Sequence, residues 1–218
     1  DVGVGFYRPL VQLSFLLDYS FWLSEPFGYH ATNLLLHLIN ISFVCLIARK
    51  VLGDAVLGWV VCGFYFGITP THATSVLWIC GRTDLLCAMF YLLAVWSFLC
   101  VMQGADRRFL FVSCLGTFLA LLSKEMALSL PLVCFLIALT KQPDKALGLR
   151  VLDSIRSSAP ILLIVVGYLG FRYSLFGTLP QSPVHETAKI GADNPDNYYQ
   201  HATIAGAHEY KITGTRNS

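Results

Sequence analysis

Between two long apolar runs the chain carries Thr69-Pro70-Thr71-His72 and then Trp78-Ile79-Cys80-Gly81-Arg82-Thr83-Asp84. A histidine, an arginine and an aspartate placed there can move protons or hold an anion. Keeping an Arg, Lys or Asp at bilayer depth costs roughly 2.5–3.5 kcal/mol each on insertion scales, so such residues serve either a site or a structural ion pair. Asp84 precedes a charge-free run and suits the N-terminus of that helix as a cap, where the dipole favours an anion. Arg82 has no such local explanation and suits a phosphate. The pair Lys124-Glu125 interrupts another apolar stretch; Glu125 suits a cap on the following helix, and Lys124 adds a cation. Arg8, in Tyr7-Arg8-Pro9, can meet a phosphate through its planar fork of donors or snorkel to lipid headgroups. His30, Asn33, His37 and Asn40 recur at helical spacing and form one polar stripe. Interhelical hydrogen bonding is the reading favoured for His37 and Asn40. For His30, at the mouth of that helix, a functional role is as good.

Those residues must be held by membrane helices. Hydrophobic residues make up 56% and charged residues 13% of the 218, against about 25% charged in a soluble domain. The fold class expected is all-α, a polytopic transmembrane helical bundle. Six apolar stretches read as spans: Ala31–Ala48, Ala55–Ile68, Leu85–Met102, Phe109–Leu122, Met126–Thr140 and Ala159–Phe176. Several fall short of the roughly 20 residues a crossing needs and must borrow from their flanks. Phe109–Thr140 as one helix would be about 48 Å long, which overshoots a core of about 30 Å. A hairpin turning at Ser123-Lys124-Glu125 removes the excess.

Arg49, Lys50, Arg107, Arg108, Lys141, Lys145, Arg150 and Arg156 fall in alternate loops, and short basic loops face the cytoplasm. The other loops, with Arg8, Arg82, Asp84, Lys124 and Glu125, then share the lumenal or periplasmic side. Leu10–Leu23 carries Gln12, Asp18 and Ser20 and suits a helix lying in the interface, with Tyr19 and Trp22 at headgroup level. The domains expected are 1–30, a lumenal segment with that helix; 31–176, the helical bundle; and 177–218, a polar lumenal tail. A start at Asp1 without Met reads as a fragment. All seven cysteines except Cys80 lie in apolar runs; they suit packing, with no metal spacing and no disulfide framework.

No Walker loop, Ser-His-Asp order or His-Glu-x-x-His signature is present. Four motifs in order resemble a known family: Tyr7-Arg8-Pro9-Leu10; Phe27-Gly28-Tyr29-His30 with Asn33 and Leu36-His37; Trp78 to Asp84; and Leu122-Ser123-Lys124-Glu125. Phe6 to Phe176 is similar to the membrane part of the TMTC proteins, transmembrane and tetratricopeptide-repeat O-mannosyltransferases of GT-C type, and of their bacterial relatives. The resemblance implies a glycosyltransferase that moves mannose from a polyprenyl-phosphate sugar, typically dolichyl-phosphate mannose, to Ser or Thr of acceptor proteins on the lumenal side. Its implied partners are that lipid-linked donor, the acceptor proteins and membrane lipids, with no nucleic acid and no permanently bound cofactor. The implied location is the endoplasmic reticulum membrane, or the inner membrane for a bacterial member.

The implied mechanism is inverting: a carboxylate deprotonates the acceptor hydroxyl while cations stabilise the departing phosphate. Arg8, His30, His72, Arg82 and Lys124 are the binding residues it suggests, with Asn33, His37, Asp84 and Glu125 in support. The family's acidic pair lies upstream of the Tyr-Arg-Pro-Leu motif, so the general base is expected before Asp1, and tetratricopeptide repeats are expected downstream. Where the family tends to read His-Pro-x-His-x-Glu, this chain has Thr69 for the first His and Thr74 for the Glu. Two other classes fit the same cationic face: a transporter or lipid-binding membrane protein, and an inactive membrane scaffold.

Overall fold

A computed structural model describes residues 8–53, 55–141 and 146–176 of the protein. Tyr7, Lys145 and the tail 177–218 lie outside the described residues. Every regular element among the described residues is helical: α1 (Pro9–Trp22), α2 (Pro26–Leu52), α3 (Val56–Ile68), α4 (Pro70–Leu77), α5 (Arg82–Met102), α6 (Arg108–Ser123), α7 (Leu130–Thr140) and α8 (Leu147–Phe176). Two 3₁₀ turns, Ile79–Gly81 and Glu125–Ser129, lead into α5 and α7. Proline opens α1, α2, α4 and α7. Its fixed φ is preset for the helix, and its missing N–H is one the first turn leaves unpaired anyway. Gly53, with φ 73°, stops α2 in the left-handed region where no Cβ interferes.

All six expected apolar stretches are helices. Three helical stretches, Pro26–Leu52, Ile79–Met102 and Leu147–Leu175, are long and apolar enough to cross a membrane, and α3, α6 and α7 are shorter. The chain is an all-α membrane helical bundle. The stretch Lys141–Ser158, expected as a basic loop, is largely helix, because α8 starts at Leu147 rather than Ala159. Pro160 lies inside α8. The turns before it are tied by serines whose hydroxyls donate to carbonyls four residues back: Ser154 to Arg150, Ser157 to Asp153 and Ser158 to Ser154. Such side chains help a membrane helix absorb a proline.

The core lies where α5, α6, α7 and α8 meet, with Phe98, Leu121, Leu130 and Ile161 fully buried. Gly116 of α6 sits against the α5 backbone, and the Ser113 hydroxyl donates to Ala94 O at 2.9 Å. The expected hairpin is present. α6 ends at Ser123, Lys124 is extended, and the chain returns through α7. At the far end of the bundle Gln103 donates to Lys50 O at 2.9 Å and Arg150 to Leu139 O at 2.8 Å. At the near end Arg8, Arg82, Asp84, Lys124 and Glu125 meet in ion pairs. The charge pattern therefore separates the two ends of the bundle correctly. Both ends of α1 touch the near end, through Arg8 to Glu125 and Asp18 to Arg82. The helix lies across that end of the bundle and does not thread it.

A Cβ at Gly116 would stand 3.0 Å from Phe90 O and 3.2 Å from Ala94 N, both backbone atoms. Gly116→Leu must therefore part α5 from α6, at a cost of roughly 1–3 kcal/mol. The full-length protein in detergent should melt several degrees lower; an unchanged midpoint would show that the two helices do not pack this closely.

Candidate functional site

The near end of the bundle holds two kinds of charge, closed and open. Arg82, the first residue of α5, has no exposed surface. Its Nε donates to Asn33 Oδ1 at 2.8 Å, its Nη2 to Tyr29 O at 2.9 Å, and its Nη1 to the Asp18 carboxylate in a buried salt bridge. The guanidinium also lies 4.8 Å from the centre of the Phe15 ring, within cation–π range. Thr32 donates to the other Asp18 oxygen at 2.9 Å. A phosphate cannot reach this arginine as it stands. Arg82, expected as a phosphate ligand, has its donors engaged in holding α1 and α2.

The polar stripe of α2 is interhelical glue. Asn33 Nδ2 donates to Trp78 O at 2.9 Å, Asn40 Nδ2 donates to Leu85 O at 3.1 Å, and His37 Nε2 lies 3.3 Å from Gly67 O. Asn33 thus ties Arg82 to the Trp78 backbone with one amide. His30 is exposed on the first turns of α2. His72, on α4, rests against Phe66 with ring centres 4.2 Å apart and lies 6.2 Å from His37. Burial lowers its pKa, and His37 lowers it further, so His72 stays neutral to lower pH than an ordinary histidine. Thr69, at the position of the missing histidine, donates to Tyr65 O at 2.6 Å within its own helix end.

Two expectations of helix capping are corrected. The N-cap of α5 is Gly81, and Asp84 sits in the first turn, where it pairs with Lys124 rather than bonding a backbone N–H. Glu125 is the first residue of the 3₁₀ turn, and the N-cap position belongs to Lys124, whose side chain makes no cap bond. Glu125 accepts from Arg8 Nη2 at 3.2 Å and from Arg172 Nη1 at 3.1 Å. Arg172, buried on α8 and 3.4 Å from the Tyr168 hydroxyl, belongs to this end of the bundle. Neither Arg172 nor Asp18 was singled out as a site residue in the sequence. Arg172 falls near the end of an apolar run, and its partner is 47 residues away.

The open pair is Lys124 and Asp84, whose side chains are 28% and 48% exposed. Beside it opens a cleft of about 540 Å³ lined by Thr74, Ser75, Leu77, Trp78, Gly81 and Asp84. Gly81 is required there: a Cβ would stand 2.3 Å from Ser75 O, so the 3₁₀ turn lies directly on the α4 backbone. Lys124 and Arg8 are the partly exposed cations of these ion pairs, and Arg172 is buried behind Glu125.

Removing one partner of a buried ion pair costs roughly 3–5 kcal/mol. Arg82→Met or Asp18→Asn alone should lower the unfolding midpoint of the full-length protein sharply. The double variant should recover part of the loss, and strictly additive losses would refute the pairing. At Glu125, burial raises the carboxyl pKa, but its own backbone hydrogen bond, the bonds from Arg172 and Arg8 and the Arg8 charge bring it below the ordinary value of 4.5. The unfolded carboxyl therefore takes up its proton first. The stabilisation is complete above pH 4.5 and is lost as the pH falls through the lower folded value. Glu125→Gln should flatten that acid limb of the stability profile, and an unaltered limb would deny the contribution.

No family model matches the chain, and no solved structure matches it. It is 31% identical to protein O-mannosyl-transferase Tmtc1 of Drosophila melanogaster, over 88% of this chain and 23% of that protein. It is 33% identical to Drosophila Tmtc2, over 88% of this chain and 20% of that protein. Protein O-mannosyl-transferase Tmtc3 of the same species is 30% identical, over 59% of the chain and 17% of that protein. The chain spans about a fifth of the length of the curated relatives it matches. By family relationship, this chain belongs with the TMTC protein O-mannosyl-transferases and corresponds to a part of them.

Proposed function

We propose that the chain is the membrane portion of a protein O-mannosyltransferase of GT-C type. It would hold a polyprenyl-phosphate sugar, typically dolichyl-phosphate mannose, at the near end of the bundle. The acceptor would be Ser or Thr of a protein on the lumenal side of the endoplasmic reticulum membrane. The observation that carries this reading is the partly exposed Lys124–Asp84 pair beside a cleft, with Arg8 at the same end, in a chain whose relatives bear that name. A leaving phosphate gains negative charge as the glycosidic bond breaks. Cations fixed in place beforehand stabilise that charge without reorganising during the reaction.

In this scheme Lys124 is the first cation to meet the phosphate, because its partner Asp84 is open to solvent and can be displaced. Arg8 can reach the same anion by loosening its bond to Glu125, while Arg172 continues to neutralise that carboxylate. Arg82 serves from behind, by holding the N-terminus of α5 on which Asp84 rides. The general base is assigned to a carboxylate outside this chain.

In the full-length protein, Lys124→Ala should lower the rate of mannose transfer from dolichyl-phosphate mannose to a Ser/Thr peptide by about a hundredfold, the scale seen when one fixed donor to a developing anion is removed. Membrane insertion should be unaffected. Transfer at the wild-type rate would remove Lys124 from the phosphate site, and no transfer by the wild-type protein would favour the scaffold reading, to which Thr69 and Thr74 lend support.

A further inference from the structure

We infer that the cleft between α4 and the start of α5 is a binding site for a hexopyranose ring, with Trp78 as its stacking face and Asp84 as its hydroxyl acceptor. The choice of sugar rests on the glycosyl-transfer reading; the site itself rests on the geometry of the cleft.

Its size, about 540 Å³, lies within the roughly 300–1,000 Å³ usual for small-molecule pockets. Its chemistry is that of a carbohydrate site. A sugar ring has an apolar C–H face and a rim of hydroxyls. Trp78 presents an indole that is 74% exposed. Exposure of a tryptophan ring is common at membrane interfaces, where the side chain is mobile and shallow. Here the residue is anchored through its backbone on both sides. Its N–H donates to Thr74 O at 2.9 Å, and its carbonyl accepts from Asn33 Nδ2 at 2.9 Å. Asn33 is itself fully buried and held by Arg82. The ring is therefore mounted on one of the most firmly fixed points of the near end, yet its face is left open.

The polar side of the cleft complements that face. Asp84 is an acceptor when ionised, and it already accepts from Lys124 Nζ. Its carboxylate has further lone pairs with which to accept sugar hydroxyls. Ser75 and Thr74 contribute to the same wall. Gly81 brings the 3₁₀ turn against the α4 backbone, so the two walls of the cleft meet there. Lys124 is paired with Asp84, so a ring held by Asp84 would lie near the cation proposed for a phosphate. That is the arrangement a glycosyl phosphate requires.

The test uses the full-length protein in lipid nanodiscs with methyl α-mannopyranoside as probe. Saturation-transfer NMR should show magnetisation reaching the ring C–H protons. Trp78→Ala should weaken the apparent affinity about tenfold, Trp78→Phe should restore most of it, and Asp84→Asn should weaken it without abolishing stacking. In the transfer assay, a higher KM for the lipid-linked donor in Trp78→Ala assigns the cleft to the donor's sugar. A higher KM for a mannosylated acceptor peptide alone assigns it to a sugar already on the acceptor. Either supports the site. Equal sugar contact in wild-type and Trp78→Ala, or none in the wild type, overturns it, as does a variant that changes only membrane association, which would make Trp78 a lipid anchor. Sugar contact at Trp78 without any transfer by the wild type keeps the cleft and removes the transferase. Transfer without that contact does the reverse.

Discussion

A guanidinium with no exposed surface must be matched on every side, and that requirement organises the near end of this bundle. Arg82 reaches Asp18 of α1 and both Tyr29 and Asn33 of α2. Because it opens α5, it also fixes where that helix starts. Without Asp18 the buried charge would be unpaired, at a cost of several kcal/mol, and without Asn33 or Tyr29 a buried donor would lack its acceptor. Together these contacts make the position of α1 a consequence of charge satisfaction. α1 itself is a 14-residue helix with many exposed apolar side chains. Little in its own sequence would hold it across the end of the bundle.

The same end holds charges in two kinds of setting, one closed and one open to solvent. Arg82 and Asp18 sit in a closed network with donors and acceptors matched. Lys124 and Asp84 are paired but open, and Glu125 is shared between two arginines. The buried amide of Asn33 joins the two classes, because it touches Arg82 with its oxygen and Trp78 with its nitrogen.

What the sequence made legible was whatever local rules control. The length of Phe109–Thr140 forced a turn, and the charged pair Lys124-Glu125 located it. The alternation of basic loops separated the two ends. The spacing of Asn33, His37 and Asn40 identified a stripe that bonds other helices. What was not legible depended on partners far apart in the chain. Glu125 finds Arg8 across 117 residues and Arg172 across 47, and Arg82 finds Asp18 across 64. A carboxylate in the first turn of a helix has a local use as a cap, so Asp84 and Glu125 were read that way, but a cation from another segment competes successfully for each. The start of α8 was hidden for another reason. Its basic residues mark Lys141–Ser158 as a loop, yet α8 begins at Leu147, with serine back-bonds along its first turns.

The order of these partners along the chain has a consequence for biosynthesis. A protein made from its N-terminus exposes each segment in sequence. Asp18, Tyr29 and Asn33 all precede Arg82, Asp84 precedes Lys124, and Arg8 precedes Glu125. Each later charge at this end thus emerges into a translocation site where a counter-ion or acceptor has already been made. Arg172 follows the same order, since it emerges after Glu125, which by then has Arg8 as a partner. The polarity of the chain means that Arg82, Lys124, Glu125 and Arg172 each emerge after a first partner has already been made.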